Sequence, residues 1–184
     1  LMVLMFTSGT TGLSKGVMMS ERNLFSSGHV FWRISEKLAE KIDLTKPLPG
    51  HYMVLPMFHL GAFIDLFSTT VMGWPLNLGS DIRNFYRDIQ KMPSQIMSVV
   101  PMIMNSLHKD VMRGRRDRLG DLWVPIGSSA MFDPQVLLDM VHNGMFVIQC
   151  YGATETCAAG IINFAQDEKH IGAVGQGSEL MDYK

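Results

Sequence analysis

Small, hydroxyl-bearing and cationic side chains are concentrated in residues 7–16, directly after the apolar residues 1–5. Glycine lets successive backbone N–H groups turn toward one ligand, and hydroxyl groups add further donors. Lys15 supplies a positive charge on a long, flexible stem. The segment therefore predicts a phosphate-binding loop after a buried strand. The residues expected to contact the ligand are Thr7, Ser8, Gly9, Thr10, Thr11, Gly12 and Lys15.

An ordinary polar surface turn has a similar composition, so the spacing of these residues matters. The standard phosphate loop of kinases and ATPases has glycine directly before its lysine and Ser or Thr directly after it. Here Ser14 precedes Lys15 and Gly16 follows it. The spacing excludes that motif and predicts a phosphate loop of another kind.

A second polar segment, residues 151–156, follows the apolar residues 146–150. Tyr151 can stack on a base, and Thr154 can donate to a phosphate. Glu155 offers the hard oxygen ligand that Mg²⁺ prefers. These types favour a nucleotide and metal site. The alternative is a helix-entry turn in which Thr154 caps the helix and Glu155 faces its dipole.

Length and composition limit the classes of function. The chain has 184 residues, 47% of them hydrophobic, which is enough for one domain with a core. A net charge of −1 gives no reason to expect a nucleic-acid partner. No apolar run is long enough to span a membrane, and no signal peptide is evident. Cys150 and Cys157 lack metal-ligand spacing, and both are interpreted as reduced thiols of a cytoplasmic protein.

Strand-like and helix-like segments alternate along the chain. This rhythm predicts an α/β fold with a mostly parallel sheet and helices on both faces. Ligand loops lie at the carboxyl ends of parallel strands, so the loops that begin at Thr7, Pro56, Gly127 and Tyr151 are expected to meet at one edge. The expected helices are residues 21–41, 60–72, 82–91, 102–112 and 134–143. The expected strands are residues 52–55, 74–78, 96–100, 122–126, 145–150 and 160–164, and the basic residues 113–118 are predicted to form a solvated loop.

The run Phe6-Thr7-Ser8-Gly9-Thr10-Thr11-Gly12-Leu13-Ser14-Lys15-Gly16-Val17 resembles the phosphate-loop motif of the adenylate-forming superfamily. That superfamily includes acyl-CoA synthetases, luciferases and peptide-synthetase adenylation domains. Ser14 stands where the motif usually has proline, which affects loop stiffness more than chemistry. The run Tyr151-Gly152-Ala153-Thr154-Glu155 matches the family's Tyr-Gly-x-Thr-Glu motif at every fixed position. The resemblance implies Tyr151 against adenine, Thr154 at the α-phosphate, Glu155 on Mg²⁺, and Gly152 and Ala153 beside the acyl adenylate.

Two further segments are similar to family motifs but depart from them. Residues 56–61 resemble the Pro-x-Phe-His-x-x-Gly segment, with the glycine one residue early. His59 alone reads more simply as a packed histidine, whereas the resemblance implies a site-lining or positioning role, not that of a general base. Ser128, Ser129 and Ala130 stand where the family has two glycines and an alanine against adenine. The serines add bulk and remove dihedral freedom. Residues 172–176 are similar to a structural turn of the family.

The resemblance implies an ATP-dependent enzyme that converts a carboxylic acid to an acyl-AMP and then to a thioester, usually with coenzyme A. Its catalytic residues in this chain would be Lys15, Thr154, Glu155 and His59. The apolar residues 60–72 favour a hydrophobic acid, either fatty or aryl, although Asp65 leaves an amino acid open. The alternatives are an amino-acid adenylation domain and a non-catalytic nucleotide-binding homologue, which the two serines support.

Family members are much longer than 184 residues. Residues 1–184 are therefore expected to be one partial AMP-binding domain, without the N-terminal part of that domain and without the C-terminal lid. The family's Thr-Gly-Asp motif and its lid lysine do not occur after Gly175. The chain alone is expected to be inactive, and apolar surface left exposed in it is expected to favour self-association.

Overall fold

The computed structural model describes residues 1–7, 14–43 and 48–180. Its strands are β1 (Val3–Thr7), β2 (Lys15–Met19), β3 (His51–Met53), β4 (Leu76–Leu78), β5 (Ile96–Val99), β6 (Val124–Gly127), β7 (Ile148–Ala153), β8 (Ala158–Asn163) and β9 (Gln176–Gly177). Its helices are α1 (Glu21–Ala39), α2 (Leu60–Val71), α3 (Phe85–Lys91), α4 (Pro101–Met112) and α5 (Pro134–His142). Short 3₁₀ turns cover Ile82–Asn84, Arg116–Leu119 and Thr154–Thr156.

The main sheet has the strand order β4-β3-β5-β6-β7-β8-β9 within the described residues. The pairs from β4 to β7 are parallel, and β8 and β9 add antiparallel strands at the other edge. Along β5, Met97 and Val99 pack with α3, α4 and α5, whereas Ile96 packs with α1. Because side chains alternate along a strand, both faces of the sheet are covered by helices. The prediction of a mostly parallel α/β fold is confirmed.

Helix α1 begins where the sequence predicts. The Ser20 hydroxyl accepts from the Asn23 N–H at 3.2 Å, and the Asn23 side-chain oxygen accepts from the Ser20 N–H at 2.9 Å. This reciprocal capping box satisfies two backbone donors that the first helical turn would otherwise leave unpaired. The helix ends at Ala39, two residues before the predicted boundary at residue 41.

Strands β1 and β2 form a separate antiparallel hairpin. Residues 1–5 were predicted to form a buried strand. Strand β1 covers Val3–Thr7, but the expected burial was wrong, because Leu4 and Phe6 on the outer face are 47% and 66% exposed. On the inner face, Met19 and its neighbours pack against α1 and α2. Both faces of this strand carry apolar residues, so the sequence does not indicate that one face is exposed. Self-association through such exposed apolar side chains stays a prediction.

The basic residues 113–118 are more than the solvated loop that their charge suggests. Arg118 donates to the buried Asp110 carboxylate at 3.0 Å, and its guanidinium lies 4.4 Å from the centre of the Tyr86 ring. Arg116 donates to two backbone carbonyls. The Arg118 contacts tie the segment to α4 and α3, and the Arg116 contacts tie it to the backbone of Asn143 and Leu122. The prediction of a solvated loop was therefore wrong for both arginines. Guanidinium groups combine ionic, planar hydrogen-bonding and aromatic contacts in this way.

The turn that precedes β9 depends on Gly175. Its φ angle is +104°, a conformation that residues with a Cβ rarely adopt. A Cβ at this position would also overlap the backbone carbonyl of Ile162 in β8. Residues 172–176 thus form a close turn against β8, in agreement with their interpretation as a structural turn. None of the helices in the described part of the chain is long and apolar enough to cross a membrane.

Replacing Gly175 with alanine should destabilise the protein more than replacing Gly114. Gly114 also has a positive φ, of +67°, but open space surrounds it. We expect Gly114→Ala to cost about 1 kcal/mol through backbone strain alone. Gly175→Ala adds steric overlap and should cost about 2–4 kcal/mol. Urea unfolding of the two variants provides the measurement, and equal costs would contradict the role assigned to the Ile162 contact.

Candidate functional site

A cavity of about 200 Å³ opens at the carboxyl ends of β3, β5, β6 and β7. We call it the His59 cavity. Its walls come from these strands, from the loops that follow them, and from α1, α2 and β8. The lining residues are Phe31, Leu55, His59, Leu60, Gly61, Ile64, Asp65, Ser98, Ile126, Ser128, Ser129, Cys150, Gly152, Ala153, Thr154 and Ala158.

A second cavity, the Tyr151 cavity, has a volume of about 210 Å³ and adjoins the first. The two share Ser129, Cys150 and Gly152 in their walls. The other lining residues of the Tyr151 cavity are Ala130, Met131, Phe132, Gln149, Tyr151, Gly172, Ala173 and Val174. Three of the four loops that were expected to meet, those after β3, β6 and β7, therefore meet at one edge of the sheet.

The fourth expected loop connects β1 and β2. Thr7 and Lys15 face each other in the register of the hairpin, and the Ser14 hydroxyl donates to the Thr7 carbonyl at 3.2 Å. Neither Thr7 nor Lys15 lines either cavity. The predicted contact residues Ser8, Gly9, Thr10, Thr11 and Gly12 lie outside the described residues. The other end of the hairpin reaches the site region, because the Met19 and Cys157 sulfur atoms are 3.7 Å apart.

The segment that begins at Tyr151 was predicted as a loop, which is wrong for its first three residues. Tyr151, Gly152 and Ala153 continue β7, because β8 pairs with them in antiparallel register. The pairing has an irregularity between Tyr151 and Gly152. The Tyr151 side chain stays 60% exposed and is free to stack on a planar ligand.

The Thr154–Thr156 turn is held by its own hydrogen bonds. The Thr156 hydroxyl accepts from the Ala153 N–H at 2.9 Å and lies 3.0 Å from the carbonyl oxygens of both Ala153 and Ala158. The next two residues, Cys157 and Ala158, have left-handed φ angles of 56° and 77°. This geometry leaves Thr154 in the wall of the His59 cavity and Glu155 exposed.

The assignment of Glu155 to Mg²⁺ stays a prediction. Among the residues that the structure describes, no three His, Cys, Asp or Glu side chains are grouped closely enough to hold a metal ion. Magnesium commonly takes one or two protein carboxylates and completes its shell with phosphate oxygens and water. Glu155 therefore fits a magnesium ion that arrives with a polyphosphate, and does not fit a resident metal cage.

The loop after β6 retains a glycine-like backbone although it carries serine. Ser129 has a φ of +73°, whereas the φ of Ser128 is not positive. Gly127, the last residue of β6, packs against the Phe132 ring so closely that a Cβ would lie 2.7 Å from it. Ser129 thus accepts backbone strain at the point where the two cavities join.

His59 is the N-cap residue of α2. Its Nδ1 atom accepts a hydrogen bond from the Gly61 N–H at 3.2 Å, so a neutral imidazole carries its proton on Nε2. The assignment of the proton follows from this hydrogen bond. The exposed ring lines the cavity that bears its name and presents an N–H donor. This arrangement agrees with a positioning role, which stays a prediction.

Sequence reasoning missed a buried polar group at the bottom of the His59 cavity. His51, Asp65 and Ser98 are 0%, 4% and 5% exposed. His51 Nε2 lies 3.4 Å from the Ser98 hydroxyl and 3.7 Å from Asp65 Oδ2. Within the described part of the chain, Asp65 Oδ2 and His51 Nδ1 have no hydrogen-bond partner. We call these three residues the floor cluster. Each of them is a polar residue within a mainly apolar segment, which is a weak sequence signal.

Burial alters the ionisation of the side chains at this depth. It lowers the pKa of His51 to about 4 and raises the pKa of Asp65 to about 7, although hydrogen bonding from Ser98 opposes the second change. Burial, with a smaller contribution from Asp65, also raises the pKa of the Cys150 thiol to about 12. Cys150 is therefore a neutral thiol and a weak nucleophile near neutral pH.

The fold and the adjoining cavities define an α/β ligand-binding domain whose site lies at the carboxyl ends of parallel strands. The sequence profile of the AMP-binding enzyme family matches residues 1–181. The chain belongs to this family. The resemblance that the sequence motifs indicate is thereby confirmed.

Two CoA ligases are among the relatives that are similar to this chain. The 2-succinylbenzoate–CoA ligase of Bacillus licheniformis is 30% identical over 159 residues, which cover 84% of this chain and 30% of the relative. The enzyme of the same name from Enterococcus faecalis is 26% identical over 98% of this chain and 36% of its own length. The chain thus spans about a third of the length of these relatives.

A solved structure of O-succinylbenzoate coenzyme A synthetase from Bacillus subtilis, in complex with ATP and magnesium ion, has the same fold. The TM-score is 0.75 at 24% identity, and the match covers 95% of this chain and 35% of that one. This likeness agrees with the predicted mostly parallel α/β fold.

Substitution of Ser129 by glycine should stabilise the protein. Glycine adopts a positive φ without the strain that serine bears, so we expect the free energy of unfolding to rise by about 0.5–1 kcal/mol. Ser128→Gly is the matched control. It should lower stability by about 0.5–1 kcal/mol, since it only adds freedom to the unfolded chain. Thermal or urea unfolding gives both values, and changes of the same sign would contradict the strain at Ser129.

The floor cluster should show opposing pH effects on stability. The raised pKa of Asp65 contributes stability that is present below its unfolded value of 3.8 and is lost as the pH rises toward 7. The lowered pKa of His51 contributes stability that is present above 6.5 and is lost as the pH falls toward 4. Between pH 4 and 6.5 the two slopes oppose each other and largely cancel.

Single substitutions should reveal each slope. In Asp65→Asn, stability relative to the unsubstituted protein should increase with pH between 4 and 6.5, by on the order of 1 kcal/mol per pH unit. In His51→Gln it should decrease over the same range. Urea unfolding at several pH values measures both trends. Parallel pH profiles for all three proteins would show that neither side chain is perturbed.

Proposed function

We propose that the full-length protein containing this chain is an ATP-dependent acid–thiol ligase that forms an acyl-AMP and then a thioester, most simply with coenzyme A. The observation that carries the proposal is the pair of adjoining cavities, which meet at Ser129, Cys150 and Gly152. Two ligand parts, a nucleotide and an acid, have to meet in such a site. Family membership and the names of CoA ligases among its relatives support the same reaction class.

In this proposal the Tyr151 cavity receives the adenine ring of ATP. Tyr151 stacks on the base, and the backbone near Ser129 and Ala130 lies along its edge. Thr154, at the junction side of the His59 cavity, donates to the α-phosphate. Glu155 is the protein ligand of a Mg²⁺ ion that is shared with the phosphates.

The β1–β2 hairpin grips the remaining phosphates. Lys15 supplies positive charge, and the residues between the two strands supply hydroxyl and backbone donors. The proposed contact residues are Thr7, Ser8, Gly9, Thr10, Thr11, Gly12 and Lys15. The family resemblance supports this role. The contact between Met19 and Cys157 joins the opposite end of the hairpin to the turn after Thr154.

The first reaction is a substitution at phosphorus. A carboxylate oxygen of the acid bonds to the α-phosphorus while the bond to the pyrophosphate oxygen breaks. A carboxylate is a weak nucleophile, so the site has to supply charge neutralisation and alignment more than proton transfer. In the second reaction the thiol sulfur bonds to the acyl carbon, the bond from that carbon to the AMP oxygen breaks, and AMP and the thiol proton are released.

The acid occupies the His59 cavity in this proposal. Its carboxylate lies near Thr154 and His59, and its acyl group extends between the side chains of α1 and α2. The apolar lining residues Phe31, Leu60 and Ile64 favour a hydrophobic acyl or aryl group. The names of the relatives include 2-succinylbenzoate–CoA ligase and 4-coumarate–CoA ligase-like 9, and the two acids in these names are both carboxylic acids with aromatic groups.

A second candidate is a nucleotide-binding homologue without catalysis. The serines at positions 128 and 129 favour it, because they narrow the space for adenine in comparison with glycine. ATP binding by the full-length protein without adenylate formation from any acid would select this candidate. An amino-acid adenylation domain would instead activate amino acids, and Asp65 is the residue that favours it.

We also propose that residues 1–184 are an internal part of a larger AMP-binding domain in a cytoplasmic enzyme. The length of its relatives supports this, because the chain covers 30–36% of two of them. Under this proposal the isolated chain releases no pyrophosphate from ATP and an acid, whereas the full-length protein does. Turnover by the isolated chain would refute the incomplete-site interpretation.

Pyrophosphate release by the full-length protein, with ATP, Mg²⁺ and a panel of carboxylic acids, tests the function. Glu155→Gln should lower kcat by about 100-fold or more, since it removes a charged metal ligand. Tyr151→Ala should raise the KM for ATP about tenfold through lost stacking. Glu168 is an exposed carboxylate that lines neither cavity, so Glu168→Gln is the control for Glu155→Gln. Equal activity in all three variants would contradict the assigned roles.

A further inference from the structure

We propose that the floor cluster recognises a hydroxyl group at the far end of the acid, so that the preferred substrates are hydroxy acids rather than plain fatty acids. The inference rests on the proposed function of the site. It assigns a specificity role to Asp65, supported by Ser98 and His51. Four observations support it: the position of Asp65 in the cavity, its unpaired oxygen atom, the absence of charge on the neighbouring groups, and the apolar walls of the cavity.

Two residues of the floor cluster, Asp65 and Ser98, line the His59 cavity, and in the proposed function they lie away from the reacting carboxylate. Exposure orders the lining residues by depth, because His59, Ser129 and Ala153 at the rim are exposed while Asp65 and Ser98 are buried. An acid whose carboxylate lies at the rim therefore directs its opposite end toward Asp65. The apolar lining residues contact the part of the acid between the two ends.

One carboxylate oxygen of Asp65 lacks a hydrogen bond. This atom, Oδ2, is fully buried, has no partner in the described part of the chain and lies 3.7 Å from His51 Nε2, while the Asp65 residue lines the His59 cavity. Buried polar atoms are almost always paired, and an unpaired one that lines a cavity marks a place for a ligand or water. A ligand hydroxyl both donates to Asp65 and accepts from a neighbouring donor, so it satisfies the cluster better than a methyl group.

Neighbouring groups favour a neutral donor. The titratable side chains that face Asp65 are His51 and Cys150, and burial keeps both uncharged near neutral pH. An ammonium group would require an ionised Asp65, and both charges would lose their hydration in a cavity whose other walls are mostly apolar. A hydroxyl group forms its hydrogen bonds without that cost.

The proposal is tested with the full-length protein and unbranched acids of increasing length, each in three forms: unsubstituted, with a terminal hydroxyl and with a terminal amine. At the best-fitting length, kcat/KM for the hydroxy acid should exceed that for the unsubstituted acid by about tenfold or more. Asp65→Leu should reverse this preference, whereas Asp65→Asn, which keeps an oxygen acceptor, should retain most of it. Thr70→Leu, an exposed change on the same helix, should leave the preference unaltered.

Calorimetric measurement of the binding of the same acids distinguishes a failure of the proposed function from a failure of the role assigned to Asp65. If no acid is adenylated, the proposed function fails, and the binding preference still decides the role of Asp65. Equal binding of hydroxy and unsubstituted acids, a preference that persists in Asp65→Leu, or tighter binding of the amino acids would each overturn the hydroxyl assignment. Thermal melting of each variant confirms that it folds before its preference is compared.

Discussion

The parallel pairing of β3, β5, β6 and β7 is the constraint on which the site depends. Val99 pairs with Gly127 and Gly127 pairs with Gln149, so β5 and β6 end at the same level, while β7 continues to Ala153 at the same edge. Every loop that follows these strands must then leave the sheet at the same edge. Two cavities form there because β8, which reverses direction beside β7, closes one side. Chemistry in this protein is therefore located by strand direction before any particular side chain is considered.

Sequence reasoning performs well where a local signal exists. Ser20 marks the start of α1, and Gly144, with a φ of +82°, follows the end of α5 as predicted. It fails where pairing with a distant strand decides the conformation. Nothing local in residues 151–153 distinguishes the end of a strand from a loop, and only pairing with β8 makes them a strand. Strand β2 was missed for the same reason, because only its pairing with β1 shows that residues 15–19 form a strand, whereas a strand was predicted at residues 1–5.

The residues of the candidate site show the same difference between local signals and distant contacts. Tyr151, Thr154 and His59 were predicted because each belongs to a contiguous motif, and the structure places each of them at a cavity, while their roles stay predictions. The floor cluster was not found, because His51 and Ser98 are 47 residues apart in sequence. A single polar residue inside an apolar segment carries no clear signal until the neighbouring strand is known. Buried polar groups of this kind are specified by tertiary packing, which a single sequence does not reveal.

The hydrogen bonds of Thr156 have a consequence for binding thermodynamics. The turn that presents Thr154 and Glu155 is closed by contacts within the protein itself, so it is preorganised. A ligand that docks on it loses little affinity to the ordering of this segment. Selectivity at the turn then comes from rigid complementarity, and a poorly matched ligand cannot be rescued by local refolding. Substitutions that remove the hydrogen bonds of Thr156 would lower ligand affinity through an entropic cost, even though its hydroxyl bonds only to neighbouring backbone.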